Sequence, residues 1–182
     1  MALSLVADCG RCAALCCLAT HLERGPDFAF TKPAGALCPL LDERTFACRA
    51  HDALVERGLS GCHVYTCHGA GNAVTDRLAT RARPAGEVRA LAMESFLVVR
   101  GAFETLAGLT LARAHVDAAL AARIDDARAS SMEAIARALD DTAREGTRDP
   151  LDRAMPDVRR ALAHVVDLVR ARGKRALTVV DG

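Results

Sequence analysis

Hydrophobic positions follow two different rhythms along the chain. From residue 86 onward they recur at helical spacing: Val88, Leu91, Ala92, Phe96, Val99, Phe103 and Leu106 form one stripe over 86–107. A second helical stretch begins near Leu109 and runs through Val116, Leu120 and Ile124. Ser130 followed by Glu133 has the form of a capping box, whose side chains satisfy free backbone N–H groups, and predicts a helix restarting there and running to Arg144. Gly146 ends it, and Asp149-Pro150 is a cap and first-turn pair. Pro156 as a first-turn residue predicts the start of the last helix, with Val158, Leu162, Val165, Val166 and Val169 inside it and Gly173 after it. The tail ALTVVDG reads as a short strand or a frayed end.

The first part of the chain is less regular. Leu3, Val6, Leu15, Leu18 and Leu22 make a partial stripe that predicts a helix over 1–24, stopped by Gly25-Pro26. Residues 26–48 are expected to be irregular, because Pro26, Pro33, Gly35 and Pro39 interrupt any period. A short helix over 50–57 closes at Gly58 in a left-handed turn, 59–67 forms a compact loop, and Gly69-Ala70-Gly71 forms a turn. The fold class is therefore mainly α: an irregular cysteine-rich module over 1–73, packed on an antiparallel helical bundle over 74–182, without a sheet.

Composition narrows the function. A chain of 182 residues that is 51% apolar and 26% charged can bury a core. Its 24 basic and 23 acidic residues leave a net charge of +1, and aromatics are 3%. Neither an electrostatic footprint nor a stacking platform for nucleic acid is present, so no nucleic-acid partner is expected. No run of about 18 apolar residues predicts a membrane span. The opening MALSLVADCGRC lacks a signal-peptide pattern, so a cytoplasmic protein is expected.

The cysteines carry the chemistry. All eight, Cys9, Cys12, Cys16, Cys17, Cys38, Cys48, Cys62 and Cys67, lie in the first 67 residues. In a reducing compartment such clustering points to metal ligands or redox groups before disulfides. A CxxC pair can turn both sulfurs toward one ion. On a continuous helix Cys9, Cys12 and Cys16 share a face, while Cys17 lies about 100° round and addresses a different ligand set. Four thiolates make a closed tetrahedral site for zinc, or hold an iron–sulfur cluster; eight make two such sites or a polynuclear one.

The order Cys9-x2-Cys12-x3-Cys16-Cys17, then Cys38-Pro39-Leu40-Leu41-Asp42, Cys48-x2-His51 and Gly61-Cys62-x2-Tyr65-x-Cys67 resembles the YkgJ-type zinc- or iron-chelating cysteine-cluster family. DFAFTKPAGALCPLL and GCHVYTCHGAG are similar to a subset in which the cysteine region precedes pentapeptide repeats in actinobacterial proteins. The resemblance covers about residues 8–73 and implies a metal-binding module, with zinc preferred over iron or an iron–sulfur cluster as cofactor. It departs from the family where Leu59-Ser60-Gly61 replaces an Arg-Pro, and where helices replace the repeats. It transfers no reaction: some relatives are flagellin lysine methylases, and nothing outside the cysteine cluster supports that activity here.

Other groups read as structural. His51 fits a solvated helix residue better than a ligand; His21, His63 and His68 flank cysteines whose own number fills the shells; His115 and His164 belong to bundle surfaces. Asp125-Asp126 and Asp140-Asp141 point apart on a helix and form no acid/base couple. No Glu-x-x-His pair suggests a di-iron bundle. The functional expectation is a metal-binding structural or regulatory module whose bundle offers a docking or homodimer surface. The alternative is an iron–sulfur or iron-dependent redox protein or enzyme.

Overall fold

The computed structural model describes residues 2–42, 47–78 and 85–180, with side chains left out at 85–88 and 174–180. The protein is mainly α. Among the described residues there are six α-helices: α1 (Leu15–Ala19), α2 (Ser60–Val64), α3 (Ala70–Leu78), α4 (Ala85–Ala112), α5 (Ala118–Glu145) and α6 (Asp149–Val180). No strand forms among them; two isolated antiparallel bridges, Leu22 to Lys32 and Leu41 to Cys48, are the only extended pairings.

The three long helices form the bundle. α4 presents Phe96, Val99, Phe103 and Leu106, α5 presents Ile124, Ile135 and Leu139, and α6 presents Leu151, Met155, Val158 and Leu162, all buried. The α4 stripe is the one the spacing predicts; its first member, Val88, lies outside the described side chains. The stretch Arg89–His115, which includes most of α4, is long and apolar enough to match a membrane span by length and composition; its Phe96, Val99, Phe103 and Leu106 are buried in the protein, while Leu97 and Leu111 are exposed.

Helix boundaries depart from the sequence pattern in three places. First, α4 continues to Ala112, a short 3-10 turn covers Arg113–His115, and α5 starts after Asp117, whose carboxylate accepts the Leu120 N–H at 2.9 Å. Second, no helix restarts at Ser130. Its hydroxyl donates to the carbonyls of Asp126 and Ala127, so it lies inside α5, which runs unbroken to the left-handed Gly146. Third, α6 begins at Asp149 and carries Pro156 and Gly173 internally. Burial of Leu151 and Met155 on either side of that first stretch outweighs the N–H that Pro156 lacks. The tail is helical to Val180, not a strand; Asp181 and Gly182 lie outside the described residues.

The N-terminal part packs on this bundle through α1 and α3, both of which touch α4. Leu15 and Leu18 of α1, Val74 and Leu78 of α3 and the bundle residues belong to one continuous core. Arg77 of α3, itself buried, reaches Asp140 of α5 at 3.1 Å. The expected helix over 1–24 shrinks to a 3-10 turn (Cys9–Arg11) and the five-residue α1. The break is Ala14, left-handed at φ 53°, so Cys9, Cys12 and Cys16 do not share one helix face. The expected helix over 50–57 is a 3-10 turn (His51–Ala53) followed by turns closing at left-handed Gly58, and the expected loop at 59–67 contains α2.

Candidate metal centre

Each cysteine is placed by a different local device. The chain from Asp8 to Ala13 is laid along α3. Asp8 caps the 3-10 turn by accepting the Gly10 N–H at 3.1 Å, and its own N–H and carbonyl pair with the Asn72 side chain at 2.9 and 2.8 Å. Thr75 Oγ1 accepts the Ala13 N–H at 3.0 Å, and Arg11 pairs with Asp76 at 3.3 Å. Gly71 lies beneath this strap. A Cβ there would stand 2.8 Å from Cys12 Sγ and 3.6 Å from Cys67 Sγ, so the missing side chain lets the two sulfurs share the space over the start of α3. The Thr75 hydroxyl approaches Cys12 Sγ at 3.8 Å. Left-handed His68 and Gly69 then turn the chain from Cys67 into α3.

The turn at Ala14 re-aims the backbone so that Cys16 and Cys17 project from α1. Next to α1 stands Lys32, only 2% exposed. Its ammonium donates to the carbonyls of Leu18 (3.3 Å), Pro33 (3.0 Å) and Ala36 (2.9 Å), which uses all three of its protons. The ammonium thereby ties the residue after Cys17 to the turn that leads into Cys38. Among the described residues no carboxylate pairs with it. Cys38 opens a tight turn in which the Leu41 N–H reaches the Cys38 carbonyl at 3.0 Å, and the Leu41–Cys48 bridge brings Cys48 alongside. Cys62 rides on α2, which is held to the 22–32 loop by the Gly61 N–H to Asp27 carbonyl bond at 3.1 Å and by Phe28 packed over Gly61.

All eight cysteines border one cavity of about 660 Å³, and all eight are free thiols. Phe28, Phe30, Leu59 and Phe96 supply much of its apolar wall, and Arg100 of α4 and Tyr65 stand at it. Among the described residues, no three Cys, His, Asp or Glu side chains converge in ready metal-ligating geometry; the sulfurs line a wall rather than meet at a point. His21, His51 and His63 also border the cavity, but His21 leans on Glu23 at 2.9 Å and His51 on Asp52 at 3.3 Å. His68, His115 and His164 do not border it.

Cys9, Cys12, Cys16 and Cys62 are held toward their protonated form. Burial pushes Cys9 up, and the neighbouring charges of Cys16, Cys12 and Cys67 add to it. Burial also raises Cys12, against the pull of the Leu15 N–H and the Thr75 hydroxyl. Cys16 is raised by its hydrogen bond to Cys17 and then by burial. Cys62 is pushed up to about 11 by burial, and by the charges of Cys16, Cys38 and Cys48. Burial pushes the Tyr65 phenol up to about 12, against the pull of Arg100. Lys32 is lowered by burial and partly restored by the charges of Cys38, Cys17 and Cys16. A wall of crowded, desolvated thiols is a poor set of free thiolates.

Sequence reasoning found the cysteines but missed the residues that arrange them. Asn72, Gly71 and Lys32 carry the placement. Lys32 had one signal, being one of two lysines in a chain whose other 22 basic residues are arginines. No family model matches the chain, and no solved structure matches it. Over 71 residues it is 42% identical to the uncharacterized protein YybG of Bacillus subtilis (strain 168). The match takes in 39% of this chain and spans a quarter (25%) of that protein's length.

Proposed function

We propose that the chain is a metal-binding protein of the YkgJ-type cysteine-cluster kind, whose thiolates hold zinc and thereby fix the N-terminal fold. One observation carries the reading: eight free thiols, spread over 59 residues of sequence from Cys9 to Cys67, all border a single cavity. Donor chemistry fits the ion. Soft sulfur ligands select zinc or iron–sulfur chemistry, and they outnumber the single acidic residue on the cavity lining, Asp8, whose carboxylate accepts the Gly10 N–H. Bound zinc supplies a structural cross-link of on the order of 10 kcal/mol in small peptides. The bundle then serves as a docking surface for a protein partner or a second copy, with Leu97 and Leu111 of α4 exposed on it. Free thiols in this number suit the reducing cytoplasm.

The second reading, an iron–sulfur or iron-dependent redox protein, draws on the surplus of sulfurs over a single four-ligand site. Elemental analysis of chain purified natively and anaerobically, with an absorption spectrum, decides between them. Stoichiometric zinc in a colourless preparation is expected. A brown preparation containing iron replaces zinc with the second reading, and a preparation that neither contains nor takes up metal overturns both.

A further inference from the structure

We propose that residues 6–12 form a flap that lifts off α3 without the rest of the fold unfolding, and so controls which small thiol-reactive solutes reach the cysteines of the cavity. The inference concerns access to the cavity. It does not rest on the metal reading and holds for the metal-free chain.

The flap is a thin wall. Ala7, Asp8, Cys9 and Cys12 border the cavity, yet Asp8 and Cys9 are themselves exposed, as are Val6, Gly10 and Arg11 beside them. One thickness of chain therefore separates the cavity from water on this side.

The ends of the flap are held differently from its middle. Before it, Leu3 and Leu5 pack against the core; after it, Leu15 and Leu18 are buried. Residues 6–11 contain no buried side chain. What holds them down is one polar face of α3, where Asn72, Thr75 and Asp76 stand three and four residues apart. Asn72 takes the N–H and the carbonyl of Asp8, Asp76 pairs with Arg11, and Thr75 accepts the Ala13 N–H just past the flap. The Asn72 and Asp76 clips are exposed, so opening exchanges them for bonds to water at small net cost. The leucine anchors would lose burial if they moved, so the middle lifts while the ends stay. Left-handed Ala14 lies between the flap and α1, so lifting breaks no turn of that helix.

Cys67 is the thiol that reports on this motion. A Cβ on Gly71 would stand 2.8 Å from Cys12 Sγ and 3.6 Å from Cys67 Sγ, so the last residue of the flap and Cys67 share the space over α3. The backbone at Ser4 and Val6 crosses directly over Gly69, two residues after Cys67. Cys67 thus sits against the flap without belonging to it.

The test is alkylation of the metal-free full chain by iodoacetamide under anaerobic conditions, with the rate at Cys67 read by peptide mass spectrometry. In the wild-type chain Cys67 is expected to react more slowly than in the urea-unfolded chain. Asn72→Ala removes two clips and is expected to speed the reaction about tenfold. Thr75→Val is expected to act in the same direction. Leu162→Ala destabilises the buried face of α6 without touching the flap, and is expected to leave the Cys67 rate at the wild-type value. In the wild-type chain the Cys67 rate is expected to rise with urea far less steeply than global unfolding does, because opening the flap exposes little surface. That slope decides the matter should a variant fail to fold. The proposal is overturned if wild-type Cys67 reacts as fast as in the unfolded chain, if Asn72→Ala leaves its rate unchanged, if Leu162→Ala speeds it as Asn72→Ala does, or if the urea slope matches that of global unfolding.

Discussion

Asn72 and Asp8 hold each other reciprocally, the amide oxygen of Asn72 accepting the Asp8 N–H while its amide nitrogen donates to the Asp8 carbonyl. The pair spans 64 residues and clips the Cys9–Cys12 turn onto α3. Asn72→Ala removes both bonds and is expected to cost about 1–2 kcal/mol in urea denaturation. The Asp8 amide should lose hydrogen-exchange protection while the amides of α5 keep theirs.

Gly69 lies at φ 85°, and a Cβ there would meet the Ser4 carbonyl oxygen at 2.1 Å. The obstacle is backbone, which cannot swing aside, and the left-handed conformation adds its own strain. Gly69→Ala is expected to destabilise the chain by more than about 2 kcal/mol, read as a lowered urea midpoint at unchanged slope.

Lys32→Met keeps the aliphatic stem and deletes the ammonium that ties three carbonyls together. A loss of about 1–3 kcal/mol is expected in the metal-free protein. Lys32→Arg is not expected to rescue it, because the wider guanidinium does not fit where a point charge is gripped by the Leu18, Pro33 and Ala36 carbonyls.

The Ser95 hydroxyl on α4 is fully buried and meets no hydrogen-bond partner among the described residues. Ser95→Ala removes a desolvated polar group at little cost in volume, and a gain of about 1 kcal/mol is expected. Thermal melting of the metal-free chain measures it; a lowered midpoint would contradict the assignment.

The pH dependence follows from the thiols. Cys62 at about 11, with Cys9 and Cys12 also raised, holds its proton in the folded, metal-free chain after the unfolded chain has begun to lose it near pH 8.5. Within that window the native state binds more protons, so stability falls as pH rises. Melting temperatures of metal-free protein are expected to decline from about pH 8.5 toward 11, and replacing Cys62 by Ala should flatten the decline.

The long helices could be read from the sequence because their large apolar residues recur on one face; Phe96, Val99, Phe103 and Leu106 are buried as their spacing predicts. The ends were harder. In α5 the buried face between Ile124 and Ile135 is filled by the small residues Ala127 and Ser131, which hide the stripe and make Ser130 look like a cap. Around the cysteines, local pattern failed for a different reason. Leu15, Leu18 and Leu22 have helical spacing, yet the backbone there is set by long-range contacts, Lys32 to Leu18, Thr75 to Ala13 and Asn72 to Asp8. Cysteine type and number were visible. Their arrangement depends on partners tens of residues away, which periodicity does not register.

The apolar interior passes without interruption from α1 and α3 into the long helices. Excision of the sulfur-rich third would therefore strip α1 and α3 of their seat on α4 and leave Leu15, Leu18 and Val74 facing water. A transplant of this region into another scaffold would have to bring a surrogate for that seat.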